Sequence, residues 1–174
     1  MLKRLGAVGL LAAALATPLA TSPVGPAAAQ DEPLVNFRVL APRLAVDLAQ
    51  AVMQACNDKG FQVAVAVVDR FGVPQALVRD RFAGPHTPDT ATRKAWTAVS
   101  FRSDTQELVA ATKSGMPQSG ARDITNALML GGGVVVSVGG QMVGAVGVSG
   151  APGGQEDHDC ALAGIEAIED RLPL

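Results

Sequence analysis

The chain has 174 residues and a net charge of −2, with acidic and basic side chains mixed throughout. This charge pattern provides neither a basic face for nucleic acid nor a polybasic patch for anionic lipid, so it argues against both classes of partner. Aromatic residues make up only 3% of the chain. We therefore expect a core of small and β-branched side chains, in which a helix packs closely on a sheet.

The first 29 residues are predicted to be a secretory signal peptide. Basic side chains within residues 1–4 precede an apolar run at 5–15, and small residues at 27–29 form a cleavage pattern before Gln30. The apolar run is too short to span a membrane. We expect a periplasmic or secreted protein with no membrane insertion after cleavage. An uncleaved membrane anchor is the alternative.

Cleavage leaves about 145 residues, which suits one domain with a single hydrophobic core. We divide the chain into the signal peptide (1–29), an N-terminal lead (30–41) and one domain (42–174). Apolar residues at helical spacing predict a helix over 43–58, with Pro42 at its first position.

The apolar run at 63–68 is too continuous for a strand with one wet face, so it predicts a central strand that is covered on both sides. A hairpin follows, with its turn at 69–72 and its second strand at 75–78. Two more strands, at 134–138 and 142–148, are joined by a Gly-Gly turn in which both residues tolerate a positive φ.

Helices are predicted between and after these hairpins. Thr87 is the expected N-cap of one helix and Pro88 its first residue. Ser103 and Gln106 have capping-box spacing, which predicts a second, short helix. The segment "EDHDCALAGIEAIEDRL" predicts the last helix. This order of elements indicates an α/β fold of the α+β kind, with four or five antiparallel strands and helices packed on the sheet.

Two cysteines, Cys56 and Cys160, lie in the predicted first and last helices. In an oxidising compartment, an even number of cysteines favours pairing. No motif specifies that pairing, so a disulfide and two buried free thiols both remain open.

The stretch "GPHTP" contains His86, one of two histidines in the chain. Prolines on both sides stiffen this loop, so ordering the imidazole on binding costs less entropy. Phe82 and Trp96 supply flat apolar surfaces nearby, while Arg93 and Lys94 supply cations that can meet carboxylates. An imidazole, an apolar wall and a basic rim are what a haem requires from a protein. The alternative is an ordinary surface histidine with solvated basic neighbours.

The segments around the last helix give weaker indications of function. The run "EDHD" at 156–159 places acids in the first turn, where the helix dipole favours them. A weak divalent-cation site is the alternative. The preceding "SGAPGG" could bind an anion through backbone N–H groups, although a Gly-Pro turn also explains it. No nucleophile elbow, P-loop or dinucleotide motif is present, and we find no acid–base pair for turnover, so the sequence favours a binding protein over an enzyme.

Three segments carry a resemblance to a known family: "VAVAVVDRFGVPQALVRD", "GPHTPDTATRKAWTAVSF" and "LGGGVVVSVGGQMVGAVGVSGAPGGQEDHDCALAG". Together they resemble the GlcG/HbpS family of haem-binding proteins, which includes the C-terminal domain of PduO-type cobalamin adenosyltransferases. The resemblance covers nearly all of residues 43–168. It implies a profilin-like antiparallel sheet of about five strands, a homo-oligomer between dimer and octamer, and binding of haem or a related tetrapyrrole. A corrinoid is the less favoured ligand.

Some members of the family have a haem-ligand histidine in the loop before the "RKAWTA" helix, and His86 lies in that loop. We assign a ligand role from the resemblance to His86 alone. The leading hypothesis is an exported, oligomeric protein for haem sensing or sequestration. In it His86 ligates the iron, Phe82 and Trp96 flank the macrocycle, and Arg93 or Lys94 meets a propionate. The alternatives are an accessory protein or enzyme acting on a small oxidised metabolite, and a sensory or scaffold partner of a membrane-bound protein. His158 is the next candidate ligand.

Overall fold

A computed structural model describes residues 34–172 of the chain. The predicted signal peptide, at 1–29, and residues 30–33 of the lead lie outside the described residues. The chain from Asn36 onward forms one compact unit. Its elements, in chain order, are α1 (Pro42–Asp58), β1 (Ala64–Asp69), β2 (Pro74–Arg79), α2 (Thr87–Phe101), α3 (Thr105–Ala111), a 3₁₀ turn (Ser119–Asp123), β3 (Gly133–Val138), β4 (Gln141–Ser149), α4 (Gly154–Glu166) and a second 3₁₀ turn (Glu169–Arg171).

Four strands form one antiparallel sheet in the order β2-β1-β4-β3. This confirms the predicted fold class, but the expected count of about five strands is wrong for the described residues. The segment 124–132, which we call the strap, crosses α2 and has irregular structure. The backbone of the strap forms hydrogen bonds with side chains of α2. Arg93 donates to two carbonyl groups of the strap, and the N–H of Leu128 donates to the Thr97 hydroxyl.

Strand β1 lies inside the sheet and is buried on both faces, as its continuous apolar sequence predicted. The valines at 63, 65 and 67 belong to the main core with α1 and α4. The alternate residues, at 64, 66 and 68, belong to two smaller clusters that include buried residues of α2. Helices α1 and α4 therefore cover one face of the sheet, and α2 covers the other.

Helix α2 packs on the sheet at backbone distance. A methyl group built on Gly147 would overlap the carbonyl oxygen of Ala91, and one built on Gly133 would overlap that of Lys94. The residues of β1 that face α2 include Ala64 and Ala66, which are also small. This confirms the close helix-on-sheet packing expected from the scarcity of large side chains.

Both predicted turns are present. In the β1–β2 turn, the Asp69 carboxylate accepts hydrogen bonds from the N–H groups of Phe71 and Val73, at 2.8 and 3.0 Å. Gly72 adopts a φ of 83° there. Gly139 and Gly140, between β3 and β4, have φ values of 57° and 74°, which only glycine adopts readily at both positions.

The two predicted helix caps are wrong. Helix α2 begins at Thr87, so His86 is its N-cap residue. The Thr87 hydroxyl instead donates to the carbonyl of Gly84 at 2.7 Å. Helix α3 begins at Thr105, and its N-cap residue, Asp104, accepts a hydrogen bond from the N–H of Val135. Here a contact with the neighbouring strand replaces the local capping box.

A disulfide joins Cys56 of α1 to Cys160 of α4, with the two Cα atoms 5.2 Å apart. Of the two alternatives left open by the sequence, the structure contains the bridged form. The helices can be linked because they pack side by side on the same face of the sheet.

Within residues 34–172, no helix combines the length and the apolar composition needed to cross a membrane.

Candidate functional site

A groove of about 500 Å³ lies beside the N-terminal half of α2. We call it the α2 groove. It is lined by residues 84, 86, 87, 90, 93 and 94 before and within α2, by Leu128 and Leu130 of the strap, by residues 149–154 from the end of β4 to the start of α4, and by Asp157 of α4. Three segments that are distant in sequence therefore meet around one concave surface.

The floor of the α2 groove contains a buried ion pair. The Lys94 ammonium group donates to Asp157 Oδ2 at 2.7 Å and to the Val148 carbonyl at 2.9 Å. The other carboxylate oxygen of Asp157 accepts a hydrogen bond from the N–H of Ala151 at 3.0 Å. The two side chains are only 1% and 5% exposed. The pair thus fixes α2, the end of β4 and the loop before α4 relative to one another.

Burial brings the pKa values of Lys94 and Asp157 closer together. It lowers the pKa of Lys94, and the nearby Asp157 carboxylate partly offsets that effect. Burial likewise raises the pKa of Asp157, against the opposing influence of Lys94 and of the hydrogen bond from Ala151. In both residues, removal from water disfavours the charged form more than the partner favours it.

His86 is exposed at the mouth of the α2 groove, directly before α2. Its ring lies over Gly84, where an added methyl group would come within 2.7 Å of Cε1 and 2.9 Å of Nδ1. Among the residues that the structure describes, neither ring nitrogen has a hydrogen-bond or ionic partner. The imidazole is therefore free to ligate.

Arg93 forms part of the rim and holds the strap in place. Its guanidinium group donates to the carbonyls of Ala127 and Asn126, at 3.2 and 3.4 Å, and lies 4.0 Å from the Asp89 carboxylate. The side chain is still 39% exposed. These bonds position Leu128 and Leu130 of the strap as an apolar wall.

The structure brings three of the five predicted site residues together: His86, Arg93 and Lys94 all line the α2 groove. Their roles stay predictions. Lys94 lies at the floor, paired with Asp157, and not at an open rim. Phe82 and Trp96 are not among the lining residues. Phe82 is 77% exposed, and Trp96 lies against Gly72 in the β1–β2 turn, on another face of α2.

Asp157 is the site residue that the sequence interpretation missed, because the helix dipole already explained acids in the first turn of α4. A signal was available, since Asp157 lies three and four residues before Cys160 and Ala161 and so shares their buried helix face. The alternative of a divalent-cation site at 156–159 gains no support, because Asp157 is bonded to Lys94. Within residues 34–172, no three acidic, histidine or cysteine side chains are grouped to hold a metal ion.

Comparison with known proteins identifies the family. Residues 40–166 match the sequence model of the family described as "Haem degrading protein HbpS-like". The crystal structure of a double mutant of Streptomyces reticuli HbpS is 37% identical, with 83% of this chain and 97% of that chain covered and a TM-score of 0.73.

Two further comparisons agree with this match. The structure of a PduOC:heme complex is 27% identical, covers 75% of this chain and 95% of that chain, and has a TM-score of 0.69. An uncharacterized 15.0 kDa protein from the dhaT-dhaS intergenic region of Citrobacter freundii is 34% identical over 119 residues, which is 67% of this chain and 81% of that protein. The chain therefore belongs to the HbpS-like family, as its three resembling segments predicted.

Proposed function

We propose that this protein binds haem in the α2 groove, where His86 would ligate the iron. The observation that carries the proposal is the exposed His86 imidazole at the groove mouth, whose ring nitrogens have no partner within residues 34–172. A neutral imidazole is a common protein ligand of haem iron. Support also comes from a family relative, PduOC, whose structure is a complex with heme.

The residues around His86 fit an amphipathic macrocycle. Leu128 and Leu130 offer an apolar surface to the ring, and the partly exposed Arg93 offers donors to a propionate. Phe82 and Trp96 are not needed as flanking groups in this arrangement. Haem sequestration or sensing is the role that we propose for the bound state.

Replacing His86 by Ala is expected to weaken haem binding at least about tenfold, or about 1.4 kcal/mol. Folding should be nearly unchanged, because the exposed imidazole packs on little and Thr87 keeps its hydrogen bond to Gly84. Titration with haem, followed through the Soret absorption band, measures the loss.

Matched variants make this test specific. Gly84→Ala should also weaken haem binding, since the added methyl group would displace the imidazole, whereas Gly120→Ala should not, since nothing lies within 4 Å of that position. His158→Ala provides the second histidine control. Loss of the Soret band in His158→Ala, with His86→Ala like the parent, would assign the iron to the other histidine.

We also propose export to the periplasm or beyond. The basic start, the short apolar run and the small residues before Gln30 support it. N-terminal sequencing of the protein from its host should start near Gln30 or Asp31. An intact Met1 in a membrane fraction would contradict export by cleavage.

Self-association is the third part of the proposal. An apolar patch extends from Phe37 and Phe71 to Val73 and Leu77, which are 50–63% exposed, along the edge strand β2. Edge strands with exposed apolar side chains favour pairing with another copy. Light scattering should report a multiple of the monomer mass, and Leu77→Glu should reduce it. A monomeric parent protein would rule out this patch as an interface.

A further inference from the structure

The Lys94–Asp157 pair has no role in the proposed haem binding, yet it lines the α2 groove. A buried ion pair contributes little net stability compared with well-packed apolar side chains, so stability alone gives no strong reason for one at this place. Two of the three ammonium donors of Lys94 are bonded, to Val148 and Asp157. A lysine and a carboxylate in contact at the floor of a groove form a pair of nucleophile and proton donor.

We propose that Lys94 forms a reversible Schiff base with a small 2-oxo acid that enters the α2 groove, and that Asp157 transfers the protons. The proposal does not rest on haem binding, although the oxo acid and haem would occupy the same groove.

The step balances with the groups that are present. A proton first passes from Lys94 Nζ to Asp157 across the 2.7 Å hydrogen bond. The free amine attacks the carbonyl carbon, so that a C–N bond forms, and the carbonyl oxygen takes the proton from Asp157. Asp157 then removes a second proton from the nitrogen and returns it to the hydroxyl group, which leaves as water. The product is a protonated imine beside an ionised Asp157.

The surroundings of the pair favour this chemistry. Because burial lowers the pKa of Lys94 and raises that of Asp157, the free amine and the neutral acid cost less here than they would in water. The protonated imine keeps the positive charge of the lysine next to the carboxylate, so the adduct preserves the ion pair. Low water access at the floor slows hydrolysis of the imine.

The choice of a 2-oxo acid follows from charge and size. Arg93 precedes Lys94, lines the same groove and is partly exposed, so it can pair with a carboxylate adjacent to the reacting carbonyl. The floor is tightly enclosed: a methyl group on Gly132 would come within 3.0 Å of Lys94 Nζ. We therefore expect the small pyruvate to reach Lys94 and the larger phenylpyruvate not to reach it.

Reductive trapping tests the proposal on the purified, haem-free protein. We expect pyruvate with cyanoborohydride to place a carboxyethyl group on Lys94, with saturation as pyruvate is raised, and phenylpyruvate to leave Lys94 unlabelled. The exposed Lys59 and Lys113 serve as internal controls. Peptide mass mapping that finds labels on Lys59 and Lys113 but none on Lys94 would overturn the proposal, as would equal labelling of all three.

Two variants refine the result. Lys94→Arg should abolish labelling at this position, and Arg93→Gln should raise the pyruvate concentration for half-labelling at least about fivefold, through loss of a charged carboxylate contact. Labelling of Arg93→Gln at the parent's concentration would refute recognition of the carboxylate. Haem titration of the same samples separates the two proposals, since absence of labelling leaves the Soret result unaffected.

Discussion

Removal of either partner of the Lys94–Asp157 pair is expected to lower the free energy of unfolding by about 3 to 5 kcal/mol. Lys94→Met leaves a buried carboxylate without its cation, and Asp157→Leu leaves a buried ammonium group with only the Val148 carbonyl. Either change imposes a desolvation cost that the one remaining hydrogen bond, to Val148 or from Ala151, offsets only in part. Urea unfolding followed by circular dichroism measures the loss in each variant.

The double variant Lys94→Met/Asp157→Leu is the control for this explanation. It removes both charges together, so we expect it to recover more than half of the loss of a single variant. The remainder reflects the N–H of Ala151, which loses its acceptor, and the carbonyl of Val148, which loses the Lys94 donor. If the double variant loses as much as the two single variants combined, apolar contacts of the side chains stabilise the fold, and the pairing of charges does not.

Loss of the Cys56–Cys160 disulfide is expected to lower the free energy of unfolding by about 4 kcal/mol. The bridge joins residues 104 positions apart, so it closes a loop that includes the whole sheet. On the chain-entropy model, such a long loop greatly restricts the unfolded chain. Denaturant unfolding of Cys56→Ala/Cys160→Ala, compared with the parent protein, gives the difference.

Thiol counting provides the control for the disulfide prediction. The unfolded, unreduced parent should show no reactive thiol, and the reduced parent should show both. Reduction of the parent protein should lower its stability as much as the double alanine substitution does, since each removes the same cross-link. Two thiols that react in unreduced protein would contradict the bridge.

Elements with a strong local pattern could be predicted from the sequence. The continuous apolar run of β1, the Asp69–Gly72 turn and the Gly139–Gly140 turn depend on neighbouring residues, so they could be recognised without a tertiary structure. The strap could not, because its backbone groups bond to α2 side chains that lie about 30 residues earlier.

Part of the site was also accessible to sequence reasoning. Arg93 and Lys94 lie on the helix face that continues from His86, at helical spacing. Trp96 is two residues after Lys94, which is roughly 200° around an α-helix, so the two side chains cannot share a face, but helical spacing alone does not separate Trp96 from Arg93. The structure decides this point, because it places Trp96 against Gly72. The apolar wall comes instead from Leu128 and Leu130, whose position depends on the strap.

The amino-acid sequence by itself determined the family, the order of the hairpins and helices, and the histidine at the start of α2, because periodicity, turn residues and recurrent segments are local properties. Only the tertiary structure decided that Lys94 meets Asp157, 63 residues later, and that Cys56 meets Cys160. These contacts form because α2 and α4 approach the same end of β4 and because α1 and α4 share a face of the sheet. Helical spacing could place Asp157 on the buried face of α4, but it could not identify Lys94 as its partner.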